Sequence, residues 1–195
     1  MNNTVILDSN RRYTYADYLT WLDDQRRELI DGFVRMMSPA PGRIHQEIIY
    51  NFTQILGKNI DKYKGGCKVY VPPFDVRLPK NGETANDKIY TVVQPDLCVG
   101  CDLSKLDDNG CLGAPDLVIE IQSPSTAQYD LTRKFDLYEA SGVREYWVVY
   151  PSGSVKAFIL QLDGKYSNGI LYNKGQKMPV HIFNGLGINV DEIFK

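Results

Sequence analysis

Apolar residues recur along this chain in two rhythms. Ile44, Ile48, Phe52, Ile55, Leu56 and Ile60 repeat at helical spacing and form one stripe, which predicts a long helix over about residues 43–63. Lys58, Lys62 and Lys64 load the C-terminal end of that helix, where they complement its dipole, and Gly65-Gly66 stops it. Leu131, Phe135 and Tyr138 share a stripe over about residues 127–141, another helix, closed by Gly142 as a C-cap. Residues 14–24 (TYADYLTWLDD) read as a short first helix with Thr14 as its N-cap.

The rest of the pattern is that of strands. Residues 27–38 (RELIDGFVRMMS) give two short strands around Asp31-Gly32, a strong hairpin signal, before Pro39 and Pro41 break the chain. After the long helix come residues 68–79, kinked or at an edge because of Pro72 and Pro73, then residues 90–100 and 114–125. The last two are nearly continuous apolar runs, the mark of strands covered on both faces. The connection between them (CDLSKLDDNGCLG) reads as a polar, exposed loop. Residues 145–151 (EYWVVYP) form a buried strand ended by Pro151, and the tail folds as a hairpin turning at Asp163-Gly164. Helix, three strands, crossover helix and strand, with a hairpin added at each end, make an α/β fold on a mixed central sheet.

Composition narrows the class. The 195 residues are 43% hydrophobic and 24% charged, which excludes disordered and fibrous chains and leads us to expect one domain over residues 1–195. With 22 Lys and Arg against 24 Asp and Glu, the net charge is -2, so the chain is not a generally basic nucleic-acid binder, although a local basic groove is compatible with it. No apolar run approaches a membrane span, and the start MNNTVILDSNRR lacks the apolar core of a signal peptide. The expected location is cytoplasmic, with no membrane partner. Cys98 and Cys101 form a CxxC that could open a zinc site, but the remaining ligands would be Cys111 and Cys67 at irregular spacing. Cys98, between Leu97 and Val99, reads better as a small apolar filler, and a disulfide framework ranks below both.

The candidate chemistry lies on the two central strands. Leu117, Ile119 and Ile121 point to one face, and Asp116, Val118, Glu120 and Gln122 to the other. A glutamate inside a buried strand is costly unless it is paired or bound to a cation. Asp96, after Pro95, sits in a similar apolar run on the neighbouring strand. Two carboxylates near adjacent strand ends are hard ligands suited to Mg²⁺, the alternative being that each pairs with an Arg or Lys. If the two acids crowd each other without a metal, Glu120→Ala should change stability little or raise it. Ser123 and Ser125 around Pro124 have no base at matching spacing and read as caps of the following helix.

These residues resemble a known family. Pro95-Asp96 followed by Glu120-Ile121-Gln122 on the next strand is similar to the PD-(D/E)xK, restriction-endonuclease-like, nuclease superfamily. More narrowly, the chain resembles the Uma-type restriction endonuclease family over about residues 10–195. The resemblance is carried by ELIDG at 28–32, Ser38-Pro39, His45-Gln46, Gln94-Pro95-Asp96, APDLVIEIQSPS at 114–125, Asp130 to Lys134, and Gly142 to Trp147.

The superfamily places a lysine two residues after the strand glutamate, where this chain has Gln122. The resemblance implies that the lysine comes instead from the following helix, and Lys134 is the candidate. Helical periodicity puts Lys134 on the border of the Leu131–Phe135–Tyr138 stripe, whereas Arg133 points away; the alternative is a lysine whose stem packs while its head reaches water. The resemblance also implies a group from the first long helix, for which Gln46 is the candidate. His45, on the apolar face, reads as a packed, hydrogen-bonded histidine, and Glu28 and Asp31 as surface charges of the hairpin, the alternative from the resemblance being that Glu28 borders the cleft.

The implied function is a metal-dependent endonuclease acting on DNA. Asp96, Glu120 and the carbonyl of Ile121 would hold Mg²⁺ or Mn²⁺, while Lys134 and Gln122 act beside them. A homodimer follows if both strands are cut. The rival is a catalytically inactive module that keeps the nuclease fold and binds nucleic acid or a protein partner.

Overall fold

A computed structural model describes residues 5–37, 42–60, 66–123 and 130–195. Two six-stranded sheets and a two-stranded ribbon carry the architecture. The N-terminal sheet contains β1 (Arg27–Ile30), β2 (Phe33–Met36), β4 (Val76–Arg77), β5 (Val92–Val93), β7 (Leu106–Asp107) and β8 (Gly110–Leu112), in the order β2-β1-β5-β4-β8-β7. The central sheet contains β3 (Lys68–Tyr70), β6 (Leu97–Gly100), β9 (Leu117–Ile121), β10 (Glu145–Tyr150), β11 (Ser154–Ile159) and β12 (Ile170–Asn173), in the order β12-β11-β10-β9-β6-β3. β13 (Lys177–Pro179) pairs with β14 (Gly187–Asn189). The helices are α1 (Tyr15–Tyr18), α2 (Arg43–Ile60), α3 (Phe135–Ser141) and α4 (Val190–Ile193), with a π-helical turn, Asp130–Lys134, leading into α3.

The central sheet is mixed. β9 and β10 run parallel, joined by the crossover that contains α3, while β6 is antiparallel to β9 and β11 to β10. The apolar stripe of α2 (Ile48, Phe52, Leu56, Ile60) packs on one face, against Leu97, Val99, Leu117, Ile119, Ile121, Trp147 and Val149. The other face presents Cys98, Val118, Tyr146 and Val148 to Tyr138 of α3 and to Val76, Leu78 and Val93 of the N-terminal region. Both faces are therefore covered, which accounts for the continuous apolar runs of β9 and β10.

The two hairpins form where turn chemistry calls for them. Asp31 and Gly32 both adopt positive φ, 53° and 89°, the backbone that a two-residue hairpin turn between right-twisted strands requires. In the tail, β11 and β12 pair antiparallel beyond a turn containing Gly164 at φ 76°. Gly142 caps α3 in the left-handed region at φ 85°.

Several boundaries differ from the pattern reading. The helix expected over residues 14–24 is the single turn α1, opened by a capping box in which Thr14 and Asp17 bond reciprocally. Residues 68–79 divide into β3 and β4, and residues 90–100 into β5 and β6, with each half joining a different sheet. The break falls at the Pro72-Pro73 pair in the first case and at Pro95 in the second, where a missing N–H interrupts a ladder. The expected polar loop contains the β7–β8 hairpin. Lys62, Lys64 and Gly65, Ser38, Pro39 and Pro41, and Pro124 and Ser125 lie outside the described residues.

Cys67 and Cys101 form a disulfide, against the low rank given to one. The sheet brings them together: Lys68 stands opposite Gly100 in the β3–β6 pair, so one step further Cys67 faces Cys101. Cys98 is free and buried, the filler role expected of it, and so is Cys111. Burial pushes the Cys111 thiol up to about 11 and that of Cys98 higher, so neither is a thiolate nucleophile at neutral pH.

Candidate active site

The site grows from the end of the β6–β9 pair. Leu97 stands opposite Ile119, so along the same register Asp96 faces Glu120 and Pro95 faces Ile121. Pro95 has no N–H to offer the ladder, and beside it the Ile121 N–H donates to the carboxylate of Asp96, at 2.8 Å from Oδ2. His45, near the start of α2, places Nε2 3.1 Å from the same oxygen. Asp96 is thereby anchored by a strand and a helix while its side chain remains 22% exposed.

Glu120 is buried on the α3 side of the sheet. The Lys134 ammonium lies 2.8 Å from its Oε1, and the Tyr138 hydroxyl donates to that oxygen at 2.7 Å. Lys134 and Tyr138 are four residues apart, one helical turn, so the π-turn and α3 present both to a single carboxylate. Burial, and next the charges of Glu120 and Glu28, raise Tyr138 well above its ordinary value, so it acts here as a neutral donor. Glu120 is thus paired with a cation and a hydroxyl donor, which changes the stability expected of Glu120→Ala.

A third acid reaches this cluster from the N-terminal sheet. Glu28 on β1 is 3% exposed, its Oε1 lies 3.2 Å from Lys134 Nζ, and it accepts the backbone N–H of Gln94 at 3.1 Å. It is not a surface charge of the hairpin. The amide of Gln94 in turn donates to Asp75 Oδ1 at 2.9 Å and accepts from Arg26 at 3.0 Å. The Tyr15 and Tyr18 hydroxyls also donate to Asp75, at 3.2 and 3.5 Å, and burial raises this carboxyl above its ordinary range.

The candidate residues are distributed unevenly around this geometry. At the strand ends Asp96 is bonded to the Ile121 N–H and Glu120 is paired with Lys134. Gln122 follows on the same strand face as Glu120, half-buried, with its N–H bonded to the Val149 carbonyl at 2.8 Å. Gln46 is exposed on α2, and it is the adjacent His45 that meets Asp96. Arg133 is exposed. Glu28, His45 and Tyr138 are the side chains that sequence reasoning did not place in the cluster. Periodicity alone marks Tyr138, one turn after Lys134, whereas nothing local to β1 says that its glutamate faces a lysine 106 positions away.

Among the described residues no three His, Cys, Asp or Glu side chains converge to hold a metal. The available donors are of another composition: two carboxylates, Asp96 and Glu120, beside the carbonyl of Ile121, whose register partner Pro95 has no N–H to give it. All are hard oxygens of the kind Mg²⁺ and Mn²⁺ prefer, and such ions retain several waters. The set fits a divalent cation in kind.

A mixed sheet carrying a helix on each face and an acidic pair at adjacent strand ends defines a restriction-endonuclease-like fold. The same fold is seen in the crystal structure of "a putative nuclease belonging to DUF820" from Anabaena variabilis ATCC 29413, with a TM-score of 0.70 and 18% identity over 93% of this chain and 97% of that one. Residues 15–191 match the Uma2 family, described as "Putative restriction endonuclease", and the chain belongs to that family. It is also 26% identical over 185 residues to "Uncharacterized protein slr1290" of Synechocystis sp., covering 92% of this chain and 90% of the relative.

Proposed function

We propose that this protein is a divalent-metal-dependent endonuclease that hydrolyses phosphodiester bonds in DNA. The observation that carries the reading is the buried Lys134–Glu120 pair at 2.8 Å, one strand over from Asp96, in a chain whose family is described as "Putative restriction endonuclease". Asp96, Glu120 and the Ile121 carbonyl would hold Mg²⁺ or Mn²⁺. Bound there, the cation would polarise the phosphate and make a water acidic enough to attack at neutral pH.

The chain's own residues supply the rest. Lys134 donates to the attacking water or to a phosphate oxygen and offsets negative charge as it builds. Tyr138 holds the Glu120 oxygen that Lys134 also uses, which fixes the carboxylate's rotamer. His45 does the same for Asp96. Gln122 stands where the superfamily has its lysine and offers an uncharged hydrogen-bonding group, and Gln46, exposed on α2, faces outward for contact with the substrate backbone. DNA binds through a local basic groove, since the net charge of -2 gives no general attraction. We read the chain as one domain, cytoplasmic, and working as a homodimer where both strands are cut.

A second reading is an inactive module with the nuclease fold. Gln122 and the engagement of Glu120 Oε1 by Lys134 and Tyr138 favour it. Plasmid nicking with Mg²⁺ or Mn²⁺, parent against Glu120→Ala, separates the two. The endonuclease nicks and the variant does not; a module shows no nicking and no Glu120-dependent divalent-metal binding by calorimetry.

A further inference from the structure

The two acids that hold Lys134 come from different sheets. Glu28 Oε1 lies 3.2 Å and Glu120 Oε1 2.8 Å from Nζ, and all three groups are buried. Two buried carboxylates thus share one buried ammonium. Glu28 is also fixed by the connector that bears Asp96: Gln94, which donates its N–H to Glu28 Oε1, is two residues upstream. The segment Gln94-Pro95-Asp96 therefore sets both the acid behind Lys134 and the acid beside Glu120.

We propose that Glu28 is a positioning residue, a second seat that keeps the Lys134 ammonium in the site when Glu120 takes up a divalent cation. The inference rests on the metal-dependent reading above. A cation on Glu120 repels an ammonium that lies 2.8 Å from the same carboxylate. With Glu28 in place, Nζ moves its weight from one acid to the other while staying buried, charged and close to the scissile phosphate. Without Glu28 the ammonium either competes with the cation for Glu120 or leaves, and both outcomes remove the group that steadies the transition state.

The lysine itself can be read. In protein carrying ¹⁵N-lysine, the ammonium correlation of Lys134 is visible while the group is held and shielded from water. Without metal it is present in the parent, in Glu28→Gln and in Glu120→Gln, and is lost when both substitutions are combined. At saturating Mg²⁺ it persists in the parent and is lost in Glu28→Gln. There kcat for nicking falls on the order of tenfold while KM changes less than about twofold, and Glu28→Asp recovers part of the loss. A lost correlation in metal-free Glu120→Gln overturns the second seat, and this arm decides even if Glu28→Gln does not fold. A correlation that survives Mg²⁺ in Glu28→Gln also overturns it. If Mg²⁺ binds no variant while the metal-free pattern holds, the metal-dependent reading falls and takes the seat's role with it.

Discussion

A carboxylate at 4% exposure in the middle of a sheet needs partners, and Glu120 has a cation and a hydroxyl donor on one oxygen. Like-charge crowding would have made its removal neutral or stabilising; pairing reverses the sign. In Glu120→Ala the Tyr138 hydroxyl loses this acceptor, and an unsatisfied buried donor costs about 1–3 kcal/mol. Lys134 keeps Glu28, so the loss should stay below that of a fully orphaned buried charge. Urea titration should show Glu120→Ala less stable by this amount and Glu120→Gln, which retains an acceptor oxygen, closer to the parent. A Glu120→Ala midpoint at or above the parent's would mean that repulsion dominates after all. The side-chain direction of Glu120 was legible in the sequence because strand alternation is strict, and the approach of Lys134 because helix periodicity puts it beside a buried stripe. Glu28 was not, since its burial comes from a second sheet laid over β1 rather than from anything within ELIDG.

Elements carry a similar lesson. α2, β9, β10, both hairpins and the C-terminal half of the crossover helix, Phe135–Ser141 of the expected 127–141, follow from periodicity and turn residues; Asp130–Lys134 is a π-turn, and residues 127–129 lie outside the described residues. The division of residues 68–79 and 90–100 between two sheets does not, because prolines announce a break without saying which strands each half will join. The disulfide was hidden for the same reason: Cys67 and Cys101 meet through the pairing of β3 with β6, 34 positions apart in the chain. Closing a loop of that length removes denatured-state freedom worth on the order of 3–4 kcal/mol. Cys101→Ser should therefore lower stability by about that much, less any strain relieved. Thiol titration of the unreduced, denatured parent should find Cys98 and Cys111 reactive and the other two silent. Four reactive thiols would mean that the bridge is not formed.

At the scale of the molecule, the N-terminal sheet is tied to the central sheet by a polar chain running from Lys134 through Glu28 and Gln94 to Asp75. Burial raises the Asp75 carboxyl, while hydrogen bonds from Gln94, Tyr15 and Tyr18 and the charge of Arg77 pull the other way. A raised folded-state value means that the folded chain binds the proton more tightly than the unfolded chain. The contribution of this group is thus present below the ordinary carboxylate range and lost as pH rises through the raised value. Asp75→Asn, similar in shape and uncharged, should gain on the parent in urea titrations as pH is raised from about 4 to about 7; a constant difference across that range would remove Asp75 from the pH response. A helix-borne lysine here does the work that the superfamily assigns to a strand position. The direct measurement is the Mg²⁺-dependent nicking rate of Lys134→Ala, with and without Gln122→Lys. Lys134→Ala should be slower on the order of 100-fold, as for loss of one preorganised electrostatic group, and Gln122→Lys in that background should restore part of the rate. A Lys134→Ala protein that nicks as fast as the parent would contradict the account.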